Sequence, residues 1–167
     1  MKKLLVISDT HECTGMLELL AQHIEENRYD MIIHLGDVRR DAEWLEERLG
    51  REIIGVAGNC DFFSRDFREL EIVVEKVKIL LTHGDKYGVK SNLDRLSYYA
   101  EERGCQVALF GHTHQPFSGP VGKALLINPG TLMNGRFAVI DINGDKVVPW
   151  AKRVQHNDRM YDIIKYI

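Results

Sequence analysis

Three apolar runs, each halted by polar or acidic residues, constrain what this chain can fold into more than any other feature. Lys3 to Ser8 runs into Asp9-Thr10-His11, Met31 to Leu35 into Gly36-Asp37, and Ile53 to Val56 into Gly58-Asn59-Cys60-Asp61. Between the first two runs, Met16, Leu17, Leu19, Leu20 and Ile24 recur near a 3.6-residue period, with Thr14-Gly15 as the expected cap. Between the second and third, Trp44, Leu45 and Leu49 mark a shorter helix closed by Gly50. Strand–helix–strand crossovers of this length imply parallel strands. The polar residues then fall at the strands' carboxyl ends, where open α/β sheets build their sites.

The pattern changes after Asp61. Glu71 to Glu75 and Val77 to Leu81 are spaced for a hairpin, and the second run ends in Thr82-His83-Gly84-Asp85. A helix is expected from Ser91 to Arg103, with Leu93, Leu96, Tyr99 and Ala100 on one face. Val107 to Phe110 forms another buried strand, ending in Gly111-His112-Thr113-His114. Ala124 to Ile127, Arg136 to Asp141 and Lys146 to Trp150 follow as strands, the last two joined by Asn143-Gly144, a strong hairpin signal. A strand-rich second half after a βαβαβ start suggests two sheets packed together with helices outside. Without repeats or a linker, residues 1–167 are expected to form a single domain.

Composition narrows the function. The net charge of −3 argues against a general nucleic-acid binder, which needs a basic surface to neutralise phosphates. The N-terminal apolar run stops at Ser8-Asp9, short of a secretory core, and no run is long enough to span a membrane. Cys13, Cys60 and Cys105 are odd in number and lack a CxxC pair, so a reducing, cytoplasmic setting is expected.

The strand-end residues Asp9, His11, Asp37, Asn59, His83, His112 and His114 form a set of oxygen and nitrogen donors that requires no thiolate. Such a set suits Mn, Fe, Zn or Ni rather than a Cys-rich structural zinc site. His112 and His114 could grip one ion or serve two, because residues two apart diverge in a turn. Seven donors exceed one tetrahedral ion but fit two if a carboxylate bridges them.

Asp-x-His at Asp9, Gly-Asp at Asp37, Gly-Asn at Asn59, a lone His83 and Gly-His-x-His at Gly111 to His114 resemble the calcineurin-like metallophosphoesterases, in that family's order. The compact size and the Gly-Asn-Cys-Asp variant are similar to its YfcE-like phosphodiesterase branch. The resemblance implies an α/β fold of two mixed β-sheets packed as a sandwich with helices on the outer faces. It also implies a division of ligands: Asp9, His11 and His114 for one ion, Asn59, His83 and His112 for the other, and Asp37 bridging. Two divalent ions outweigh two carboxylates and a bridging hydroxide, leaving a positive site for an anionic phosphoester in a chain that is negative overall.

The function implied is two-metal hydrolysis of a phosphodiester with a metal-bridging hydroxide as nucleophile and no protein nucleophile. Asn59, His83, His112 and Asp37 would act through metal and phosphate positioning, and Mn is the first choice of ion. Phosphomonoesters or phosphoanhydrides are the alternative substrates. A catalytically silent protein-binding scaffold, for which the retromer subunit of this fold is the precedent, is the alternative class. The expected partner is a small phosphoester, without membrane or general nucleic-acid binding, and compact relatives often form homo-oligomers.

Two positions depart from the family pattern. Many relatives have His where this chain has Cys60, and a thiol is a weak donor to a leaving group. Many also have His where Asp85 stands. Cys60, Asp61 and Asp85 are therefore expected beside the ligands or the substrate, Asp61 orienting its loop and Cys60 filling space. His34 is expected in the core behind the ligands, Cys105 in the core, His23 and His156 on the surface, and Asn128-Pro129-Gly130-Thr131 in a turn near the pocket.

Overall fold

The computed structural model describes residues 1–62, 64 and 67–154, together with the backbone of 161–165. His156 lies outside the described residues. One sheet has six strands in the order β11-β10-β9-β1-β2-β3, and the other has five in the order β4-β5-β6-β8-β7. In the first, β1 (Lys2–Ile7), β2 (Met31–His34) and β3 (Ile54–Gly55) are parallel, with Leu5 opposite Ile32 and Ile33 opposite Ile54. β9 (Arg136–Asn143) runs antiparallel to β1 and to its hairpin partner β10 (Lys146–Arg153), and β11 (Tyr161–Lys165) pairs with β10. In the second sheet, β4 (Glu69–Val74) and β5 (Val77–Thr82) form the expected hairpin. Here β5, β6 (Val107–Leu109) and β8 (Ala124–Asn128) are parallel, and β7 (Phe117–Val121) closes the edge.

Strand alternation explains the layering. Leu4 and Val6 point between the sheets, where they meet Ile33, Val56, Ile79, Leu81, Val107, Leu109 and Ile127. Leu5 and Ile7 point the other way, against Leu17, Leu20 and Ile24 of α1 (Thr14–Glu26) and Leu45 of α2 (Arg39–Leu49). On the outer face of the second sheet, Leu80, Ala108 and Leu126 meet Leu96 and Ala100 of α3 (Asp94–Glu102). Both faces of the central strands are buried, so they read as unbroken apolar runs rather than alternating ones. Burying a single Leu or Ile in such a core contributes about 1.5–3 kcal/mol.

Several local expectations change. Cys13, not Thr14-Gly15, holds the N-cap of α1, and it makes no side-chain cap bond. α3 begins at Asp94 rather than Ser91; the Asp94 amide donates to Asn92 Oδ1. His23 is buried rather than on the surface. It lies three residues after Leu20 on the packed stripe of α1, bonds Tyr29 Oη at 2.6 Å and packs on the Phe137 ring. β7 was not expected, because Ser118-Gly119-Pro120 carries no strand signal. Its edge position tolerates the proline. Among the described residues no helix is long and apolar enough to cross a membrane.

Candidate metal centre

The parallel strands of both sheets deliver their carboxyl ends to one rim. Asp9 and His11 follow β1, Asp37 follows β2, Asn59 follows β3, His83 follows β5, and His112 and His114 follow β6. The backbone there is unusual. Eight non-glycine residues among those described have positive φ, and five are Asp9 (53°), His11 (45°), Asp37 (62°), His112 (66°) and His114 (59°). Two more, Glu12 and Val38, are their neighbours, leaving only Glu75 in the β4–β5 turn. Left-handed backbone at bulky residues carries strain and gathers where side chains must be aimed.

Glycines let these turns meet. A Cβ on Gly58 would collide with the Asp37 carboxylate and amide, and one on Gly111 with the Ser8 hydroxyl. No side chain fits at either crossing, which accounts for the glycine before Asn59 and the glycine before His112.

The donors converge. Asp37 Oδ2 lies 3.4 Å from His83 Nε2 and 3.8 Å from His11 Nε2. Asp9 Oδ1 lies 3.1 Å from His114 Nε2 and 4.0 Å from both His11 Nε2 and His83 Nε2. His11 and His114 face each other through their Nε2 atoms at 3.4 Å. His83 Nε2 faces Asn59 Oδ1 at 3.0 Å and His112 Nδ1 at 3.2 Å. The sets Asp9–His11–His114, Asp9–Asp37–His83 and His11–Asp37–Cys60 each bring ligand atoms within 4.8 Å of one another.

Two observations test whether the residues suit a metal ion. Asp9 is fully buried, and its Oδ1 has no hydrogen-bond donor while its Oδ2 accepts from the His112 amide at 3.1 Å. A buried carboxylate oxygen without a donor is costly unless a cation meets it. His83 Nδ1 lies 2.8 Å from the Leu35 carbonyl, which can only accept, so Nδ1 carries a proton and Nε2 is left to face the carboxylates. The donors fit a metal.

Charge follows the same geometry. Burial works to raise the Asp37 carboxyl, but the bond and charge of His83 and the Cys60 amide hold it below the usual carboxylate range. Burial works against protonation of His83, yet Asp37 and Asp9 raise it overall. Burial, then His83, then Lys90 lower His112.

The surrounding residues divide clearly. Asp61 accepts four backbone amides: Val38 and Arg39 on Oδ1 at 3.0 and 2.8 Å, Asp37 and Gly58 on Oδ2 at 3.1 and 2.9 Å. It thereby pins the turn of Asp37 to the turn of Asn59. Cys60 is exposed; its amide donates to Asp37 Oδ1 at 2.9 Å, and burial and the Asp37 charge push its thiol up to about 11. A neutral thiol is thus placed in the cluster with His11 and Asp37. Asp85 is absent from these donor sets among the described residues. It opens a short 3-10 turn, 3.9 Å from Arg68 Nη1, because the backbone leaves the rim after Gly84.

Four further residues support the ligands: His34, expected behind them, Asn128 and Thr131, expected in a turn near the pocket, and Thr10, which carried no signal of its own. His34 takes the Gly36 amide on Nδ1, so its Nε2 donates to Thr10 Oγ1, which in turn donates to the Asp37 carbonyl. Asn128 Nδ2 donates to the Gly111 carbonyl at 2.8 Å, and Thr131 Oγ1 to the Asp9 carbonyl at 2.7 Å. The only sequence clue to Asn128 and Thr131 is that they follow another buried strand.

The description of the calcineurin-like phosphoesterase superfamily domain matches residues 1–144. The chain belongs to this superfamily. It is a hydrolytic metallophosphoesterase, 36% identical over 148 residues to the probable metallophosphoesterase YsnB of Bacillus subtilis (strain 168), covering 84% of this chain and 85% of that one. It is 27% identical over 155 residues to the phosphodiesterase YfcE of Escherichia coli (strain K12), covering 79% and 80%. Among solved structures, a predicted phosphoesterase from Streptococcus pneumoniae TIGR4 superposes with a TM-score of 0.75 at 27% identity, covering 93% of this chain and 94% of that one. A single mutant of Vps29 from Entamoeba histolytica superposes at 0.80 with 19% identity over 97% and 99%, a likeness of fold alone.

Proposed function

We propose that this metallophosphoesterase hydrolyses a phosphodiester with the help of two divalent transition-metal ions. The observation that carries the proposal is the buried Asp9 Oδ1, which lacks a donor and faces the Nε2 atoms of His114, His11 and His83. Asp9, His11 and His114 would hold one ion, and Asn59, His83 and His112 the other. Asp37 would bridge, since its Oδ2 stands between the imidazoles of His11 and His83. When bound, such ions supply a water acidic enough to attack at neutral pH and positive charge for the phosphoryl oxygens.

The chain's own residues do the positioning. The Leu35 carbonyl holds the His83 tautomer, the His112 amide fixes Asp9, and the Cys60 amide and Asp61 fix Asp37. The Cys60 thiol is too weak a donor to protonate a poor leaving group, which favours diesters with good leaving groups over monoesters. Mn is the preferred ion, with Ni, Fe or Zn also suited to the donors. Three free cysteines suit a cytoplasmic setting.

The Vps29 likeness supports a second reading, a protein-binding scaffold without catalysis. Against it, all seven donors are present and six of them converge through imidazole and carboxylate contacts. The test is cleavage of bis-p-nitrophenyl phosphate with added Mn(II). Wild type is expected to turn over, and Asp37→Ala and His114→Ala to lose at least about 100-fold. No bound metal and no turnover in wild type would favour the scaffold; near-wild-type rates in either variant would remove the site.

A further inference from the structure

A cavity of ≈430 Å³ lies against the loop that carries His112 and His114, and none of the metal or positioning roles above uses it. Its lining includes Thr113, the residue between those two histidines, and Val89, Leu93, Phe110, Pro116 and Phe117. The backbone just after His83 touches the same wall: a Cβ on Gly84 would meet Val89 at 3.0 Å and Phe110 at 3.6 Å. All three histidines His83, His112 and His114 are therefore within one residue of a group that borders or touches this wall.

The lining has the make-up of a small-molecule pocket, an apolar wall with a few polar groups, and its volume falls in the range of about 300–1,000 Å³. Phe110 and Phe117 stand with ring centroids 6.4 Å apart and planes tilted by 54°. Thr113 cannot serve a ligand, because its hydroxyl is occupied by Gln115 and Asn128. Lys90, however, has no ion-pair or hydrogen-bond partner among the described residues, and it lines the cavity together with the exposed Gln115. A larger cavity, of ≈590 Å³, surrounds Tyr29, Asp30 and Arg51 at the start of β2, the opposite end of the strand from Asp37. It has no route to the donors along that strand.

We propose that the cavity bounded by Phe110, Phe117, Leu93 and Lys90 seats an ester group of the phosphodiester, a planar aromatic ring with an anionic substituent that Lys90 meets. The proposal rests on the phosphodiesterase reading, since the phosphoryl group is placed by the metal ligands. It gives the enzyme selectivity for aryl-sized over alkyl esters without touching the reacting atoms.

Phosphonates test this separately from catalysis, because the head group stays constant while the substituent changes. Binding of methyl-, phenyl- and 4-carboxyphenylphosphonate to the Mn(II)-loaded protein would be measured by calorimetry. Wild type is expected to prefer phenyl over methyl by about tenfold, the scale of one buried apolar group, with a further gain of about threefold for the carboxyphenyl compound. Phe117→Ala should erase the phenyl-over-methyl preference and Lys90→Met the carboxyphenyl-over-phenyl gain, each read as a ratio within one variant because the Lys90 charge also reaches His112. Lys90 is exposed, so its variant reports even where Phe117→Ala folds poorly. Equal phenyl and methyl affinities in wild type, with bis-p-nitrophenyl phosphate still cleaved, would overturn the pocket and leave the phosphodiesterase reading standing. Absence of methylphosphonate binding and of turnover would overturn both.

Discussion

Asp61 offers a sharp test of how the rim is held together, because its two carboxylate oxygens accept four amides from two separate turns. Removing it by Asp61→Ala strands the amides of Asp37, Val38, Arg39 and Gly58 at once. A hydrogen bond to a charged group is worth about 1.5–3 kcal/mol, and a helix cap about 1 kcal/mol. Asp61 is only partly buried, so water can reach some of the vacated amides, and the sum is discounted to about 3 kcal/mol. For a chain of this size that is a fall in Tm of about 6–12 °C. Asp61→Asn should do no better than Asp61→Ala. An amide has one accepting oxygen, and its NH2 would point donors at two amides that are themselves donors. Thermal unfolding in EDTA measures stability, and Mn(II) titration counts the ions bound. Because Asp37 loses its support, the variant is expected to bind fewer ions or bind them at least about tenfold more weakly. A Tm within 2 °C of wild type, about what 0.5 kcal/mol would give, with unchanged stoichiometry, would refute the argument that Asp61 joins the two turns.

Two more outcomes follow from the same geometry. Burial pushes His34 down to about 4, below its unfolded value near 6.5, so the folded state resists protonation there. Between those values the unfolded chain binds the extra proton, and stability measured in EDTA should fall as pH drops from about 6.5 to about 4, by up to about 3 kcal/mol; a flat profile across that window in wild type would contradict the buried neutral imidazole. Cys60→His places a titratable imidazole beside Asp37 and should raise the rate on a poor leaving group, such as methyl phenyl phosphate, at least about tenfold relative to bis-p-nitrophenyl phosphate. An unchanged ratio would mean that this position does not face the leaving group.

Legibility in the sequence tracked burial. The central strands β1, β2, β5, β6 and β8 are packed on both faces, so their apolar runs and their polar stops could be read directly, and with them six of the seven donors; Asn59 follows the short β3. The β7 strand could not, because an edge strand is exempt from the rules that make central strands recognisable, and Gly119-Pro120 is tolerated there. β3 shrinks to Ile54–Gly55 because the chain must turn early to bring Gly58 against Asp37. His23 was misjudged because a histidine on a helix reads as polar, while its helical phase placed it under Phe137. Asp61 was legible as orienting its loop, and Asn128 and Thr131 as a turn near the pocket, but the distant backbone groups they bind lie at separations that no local pattern encodes.

The left-handed turns explain why so many hydrogen bonds are spent on supporting residues rather than on ligands. Each bulky residue with positive φ costs about 1 kcal/mol or more, and five of the seven donors adopt it. The compensating bonds come from the protein: Asp61 to the amides of Asp37 and Val38, Thr10 to the Asp37 carbonyl, Thr131 to the Asp9 carbonyl, and Asp41 from the Glu12 amide at 2.8 Å. Since each strained turn is tied to a neighbouring element by its own backbone, the donors are aimed without an ion to gather them. What an ion would add is narrower, a partner for Asp9 Oδ1, which accepts no hydrogen bond and has His114 Nε2 3.1 Å away, and for the opposed imidazole nitrogens. Chelation should therefore lower Tm by the binding free energy and leave the far-ultraviolet circular dichroism unchanged. Loss of the β-sheet signal on chelation would show instead that the ions assemble the rim.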